Sequence, residues 1–232
     1  MTLRGSQRLF LVLAGAFLSA CSHVSSPLVD VVSGLSGQLL ANTSQSSIPT
    51  QLNPAYRYLR VDVAGRPPAL LVLGYVDPHP LGDIEVWYSS QREVIKTQAG
   101  RVIATSGLEL DWRQVSFPVA PLPWAKAPNS FTYQRVRDVM PGYRMGLQEA
   151  VQVVALQPPP EMLPPPLPAG VTWYRESVEA PNMPHSLPNA LPPAWFAVKT
   201  SASSVADVVA SYQCLSPTLC LRLQRWPAVG AP

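Results

Sequence analysis

Histidine is scarce in this sequence: only His23, His79 and His185 occur in 232 residues. His79 lies between two prolines and His185 follows one, and none stands at ligand spacing from a cysteine. A His/Cys zinc motif is therefore missing. So are the Gly-x-Ser-x-Gly elbow, the His-Glu-x-x-His helix and the phosphate-binding P-loop. The expectation is a protein that is not an enzyme and needs no metal or cofactor. Charge is also sparse. The chain has 17 Lys+Arg against 14 Asp+Glu, scattered along its length. Nucleic-acid binding needs a concentrated basic face, so it is not expected. Long apolar runs are absent as well. No stretch reaches the roughly 18 residues of a spanning helix, and Ala69–Val76 reads instead as a buried strand.

One short apolar run does stand out. Arg4 and Arg8 precede Leu9–Leu18, and Leu18-Ser19-Ala20-Cys21 follows with small residues before a cysteine. Charged, apolar and small-residue regions in this order form a secretory signal, too short for a permanent membrane helix. The cysteine at the first position after the cut matches a bacterial lipobox. Residues 1–20 are thus expected to be removed and Cys21 to be lipidated. Each buried CH₂ of an acyl chain contributes roughly 0.8 kcal/mol, so two or three chains hold a protein in a membrane. Ser22 follows, not the Asp that retains lipoproteins at the inner membrane, which points to the outer membrane of a Gram-negative cell. The domain is expected to face the periplasm. Losing Arg4 and Arg8 leaves 15 basic against 14 acidic residues, a net +1. Residues 21–52, rich in Ser and Gln, read as a flexible tether.

With Cys21 assigned to lipid, Cys214 and Cys220 remain. An even remainder in an oxidising compartment suggests a disulfide pinning a turn; two free thiols are the alternative.

From residue 53 onward the pattern is β. Residues 56–63 alternate, and 69–76, 83–88, 93–98, 101–106 and 110–117 follow at intervals of about ten, separated by Gly and Pro. Segments 151–156, 171–178, 194–200, 207–213 and 220–226 continue the pattern. Short strands so spaced imply an all-β antiparallel sandwich, barrel or meander with few short helices. Prolines crowd the middle, with 17 of 27 between 118 and 195. They lack the N–H of a ladder, so these are long surface connections. Strand-like segments on both sides of them favour one domain, 53–228, over two domains and a linker.

Leu71–Val76, Val86-Trp87-Tyr88 and Val94–Leu108, with its Gly-Arg turn and Thr-x-Gly-Leu ending, resemble the YjbF/GfcB family of bacterial lipoproteins. Phe131–Gly146 resembles its second block. The resemblance implies a lipoprotein of group 4 capsule or exopolysaccharide systems. Its implied role is non-catalytic help in assembly or export of polysaccharide, with export proteins or polysaccharide as partners beside the membrane. The proline-rich middle departs from the family pattern.

Three side-chain groups compete for a site. Asp83 and Glu85 could pair as acids, and Arg135 and Arg137 could meet an acidic glycan, but both pairs read more simply as solvated strand faces. The aromatics are numerous. Trp87, Tyr88 and Trp195 are candidate glycan contacts, since Trp and Tyr faces stack on sugar rings, although core packing is the default. A periplasmic glycan-binding module is therefore the alternative function.

Overall fold

A computed structural model describes residues 48, 51–159, 167, 169–179, 191–201 and 206–227. The expected signal peptide, Cys21 and nearly all of the tether lie outside the described residues, as does most of the second proline cluster.

Twelve strands are described: β1 Tyr58–Val63, β2 Ala69–Asp77, β3 Ile84–Tyr88, β4 Val94–Gln98, β5 Arg101–Ser106, β6 Asp111–Ser116, β7 Ser130–Met140, β8 Arg144–Ala155, β9 Val171–Glu179, β10 Ala194–Thr200, β11 Ala206–Cys214 and β12 Cys220–Trp226. A single 3₁₀ turn, Trp124–Lys126, interrupts the β6–β7 connection. All strands belong to one antiparallel sheet ordered β5-β4-β3-β2-β1-β12-β11-β10-β9-β8-β7-β6. Each therefore pairs with its neighbour in the chain, except at two places. β1 pairs β12, from Tyr58 opposite Trp226 to Val63 opposite Leu221. β5 and β6 lie side by side without a backbone ladder. The result is a nearly closed up-and-down barrel. The proline block between β8 and β9 joins two strands that pair directly, with Ala150 opposite Glu179 and Ala155 opposite Tyr174.

Side-chain period two builds the core. Leu59 and Val61 of β1, Trp87 of β3, Ile95 of β4 and Leu221 and Leu223 of β12 form one cluster. Tyr133, Val151, Val153, Tyr174, Phe196 and Val198 form a second with Trp124. The alternate residues Trp173 and Trp195 pack with Ala197 and Ala210 in a third, on the opposite face of β9 and β10. Full burial of each large apolar side chain contributes about 1.5–3 kcal/mol.

The barrel's one seam is closed by side chains. Thr105 Oγ1 donates to Asp111 Oδ1 at 3.0 Å and accepts the Trp112 N–H at 3.0 Å. The Val102 N–H, on the free edge of β5, donates to Gln213 Oε1 at 2.9 Å. Backbone groups that would otherwise template association are thereby satisfied. The β4–β5 turn makes this possible. Ala99 and Gly100 both have positive φ, 48° and 77°, as a two-residue type I′ turn requires. A Cβ on Gly100 would sit 2.4 Å from Val208 Cβ, so only glycine lets the turn press against β11.

Candidate functional site

Three carboxylates are sequestered with arginines, and each cluster includes an arginine stacked over a tryptophan. In the first, Arg101 of β5 meets Glu176 of β9 with Nε donating to Oε1 at 2.9 Å. Both side chains are buried. Tyr133 donates its hydroxyl to Glu176 Oε2 at 2.9 Å, and the guanidinium lies 4.1 Å from the Trp124 ring centre. Burial alone would weaken the Arg101 cation, but Glu176 and Tyr133 outweigh it and hold the charge. Burial, then the Glu176 charge, push the Tyr133 phenol far above its usual range, so it stays protonated as a donor.

In the second cluster, Glu149 Oε2 accepts from Arg135 Nε at 2.6 Å and from Arg137 Nε at 2.7 Å. Its other oxygen pairs with Arg137 Nη2. Arg137 lies 4.6 Å and Arg135 5.2 Å from the Trp112 ring centre. Burial raises the Glu149 pKa, yet the hydrogen bonds and charges of Arg137 and Arg135 leave it lowered overall. In the third, Glu85 pairs with Arg57 at 2.6 Å and Arg225 at 2.5 Å. Thr97 bridges Glu85 to Trp87 Nε1, and Arg225 lies 4.9 Å from the Trp87 ring centre.

Chemically these clusters hold charge in place. The carboxylates already accept from arginine, tyrosine or threonine. A cavity of about 20 Å³ beside Arg101, Tyr133, Glu176 and Gln213 has room for a water and not for a sugar. Among the described residues no group of three or more His, Cys, Asp or Glu is placed to hold a metal ion.

A family model described as group 4 capsule polysaccharide lipoprotein gfcB, YjbF, matches residues 38–224. The chain belongs to this family. No curated protein matches the sequence. Among solved structures, the hypothetical lipoprotein YmcC from Escherichia coli (K12) is similar, with a TM-score of 0.57 and 17% identity. The match covers 84% of this chain and 95% of that one. At that identity the likeness shows a shared fold.

The sites expected from the sequence of this YjbF-family chain fare differently. Cys21 lies outside the described residues. Cys214 and Cys220 are bonded to each other, and they face one another across the β11–β12 hairpin. Trp87 is 0% and Trp195 6% exposed, so these two rings do not form an open sugar platform. Strand parity turns Trp87 into the first core cluster, whereas Trp195, on the face of β10 opposite Phe196, is covered by packing with Trp173. Tyr88 is half-buried, its ring laid across Gly74, where a Cβ would come within 2.4 Å of it. Neither Glu85 nor the Arg135/Arg137 pair is a solvated face. All three are drawn into the ion clusters, by partners on strands distant in the chain or across a hairpin. Glu149 and Glu176 stand in no recognisable motif. Their only signal is an acidic residue in phase with buried apolar positions, Val151 for Glu149 and Tyr174 for Glu176.

Proposed function

We propose that this YjbF-family protein is an outer-membrane lipoprotein, anchored through Cys21, that assists assembly or export of a capsule or extracellular polysaccharide without catalysing a step. The observation that carries the reading is the family match over residues 38–224, joined to the Leu18–Cys21 lipobox. The internally paired ion clusters suit a rigid scaffold held beside an export machine. A protein partner fits better than the alternative of stacking sugars on Trp87 and Trp195, because both rings are buried.

Deleting the gene should lower surface polysaccharide and biofilm, with restoration by the intact gene. Cys21→Ser should fail to restore it and should give a soluble or unprocessed protein. Unchanged surface polysaccharide after deletion would overturn the export role. Continued lipid labelling of Cys21→Ser would overturn the anchor.

A further inference from the structure

Strand parity sorts the loops to two ends of the barrel. Because neighbouring strands alternate in direction, the chain enters β1 and leaves β12 at the same end. The β2–β3, β4–β5, β6–β7 and β8–β9 connections share that end. Of eight large apolar side chains exposed among the described residues, six lie there: Tyr75, Val76, Leu81, Val119, Leu122 and Leu156. Tyr143 and Met145, at the β7–β8 tip, belong to the other end.

The loops are tied together. Gln98 Nε2 donates to Gly82 O at 2.7 Å, joining the β2–β3 and β4–β5 connections. Trp124 Nε1 donates to Ala99 O at 2.8 Å, joining the β6–β7 loop to the same turn. The Ala155 N–H donates to Asn129 O at 2.7 Å, tying the end of β8 to the base of the β6–β7 loop. The composition of the β6–β7 loop is unusual for a solvated connection. Residues 117–128 contain four prolines, and Lys126 is their one charged residue. Val119 is 73% and Leu122 45% exposed. Proline already restricts this backbone, so little conformational entropy remains to be lost if these side chains are buried against something else.

We propose that this end of the barrel rests on the lipid bilayer, with Val119 and Leu122 at the headgroup–acyl boundary and Tyr75 exposed at the same end. The occupant follows from where the chain enters. The segment from Cys21 to Asn53 joins the domain at this apolar end, so a lipid on Cys21 would hold the end close to a membrane. Its roughly 30 residues span up to about 100 Å when extended, so the tether permits contact without forcing it. Tethering makes the contact intramolecular, and weak interfacial affinity then suffices. Tyrosine is favoured at such interfaces. The inference rests on the anchor reading.

The test uses the intact lipoprotein. Its own cysteines are occupied by the expected lipid and by the Cys214–Cys220 bond, so an added cysteine supplies one reactive thiol. Val119→Cys, Leu122→Cys and Tyr143→Cys are each labelled with an environment-sensitive fluorophore. Each is placed in phosphatidylethanolamine–phosphatidylglycerol vesicles whose acyl chains are brominated. The probes at 119 and 122 should lose most of their emission, and the probe at 143 should keep it. Equal quenching at all three positions, or none, overturns the proposal. So does shielding of positions 119 and 122 that appears only with envelope proteins present, since the occupant is then a protein. Mass analysis of the Cys21 peptide separates the two readings. Acylated Cys21 with unquenched probes overturns the docking alone; Cys21 carrying fluorophore in place of lipid, with the variants at 119 and 122 still quenched more than that at 143, overturns the anchor alone.

Discussion

Glu149 shows how one residue can couple the barrel to pH. It is the carboxylate that accepts from both Arg135 and Arg137, and those cations hold its pKa below the ordinary 4.5. A lowered folded pKa stabilises the native state fully above the unfolded value, and that contribution is lost as pH falls through the folded one. Urea midpoints should therefore drop on acidification below about pH 4.5. Glu149→Gln should flatten that acid dependence while lowering stability at neutral pH by about 3–5 kcal/mol, the usual cost of stranding buried charge. An unchanged acid slope in the variant would show that other carboxylates set it. The same residue marks where reading the sequence fell short. A glutamate two positions before Val151 breaks the apolar alternation, so the strand is expected at 151 yet starts at Arg144. The partners that neutralise it lie across a hairpin whose register depends on the fold.

At the scale of elements, the β11–β12 hairpin carries the disulfide. Cys214 and Cys220 are six positions apart in sequence. A loop this short gains about 2 kcal/mol from the lost freedom of the unfolded chain. Reduction should lower the unfolding free energy by that amount, read from the shifted denaturant midpoint, and both thiols should resist alkylation until a reductant is added; alkylation of unreduced, folded protein would refute the bond. Strands such as this one were legible because Leu221 and Leu223 alternate with Arg222 and Gln224, and because Gly and Pro punctuate the chain about every ten residues. The choice between sandwich, barrel and meander was not. It turns on the β1–β12 pairing and on the β5–β6 seam, which join residues by geometry and leave no local pattern. The burial of the aromatics is likewise set by the fold. Composition counts Trp87 and Trp195 but does not say what covers them: Trp87 turns into the first core cluster, and Trp195 packs with Trp173 on the face of β10 opposite Phe196.

For the whole molecule, the β1–β12 ladder sets the order of assembly. Every other ladder joins consecutive strands, whereas Tyr58 must find Trp226. Closing a longer loop costs about 0.6 kcal/mol more for each doubling of its length, and contacts distant in sequence slow folding. The local β7–β8 hairpin should accordingly form early and the barrel close last. Pulse-labelling hydrogen exchange should find β7 and β8 amides protected before those pairing β1 with β12. Until that closure, the edges of β1 and β12 remain open to other chains. The disulfide bears on this step because it fixes β12 against β11 before β1 arrives. In reduced protein the delay before β1–β12 protection should lengthen, with β7–β8 timing unchanged. Early protection of β1 and β12, or equal slowing of all strands on reduction, would mean that the barrel closes as one unit and that its longest-range ladder does not limit folding.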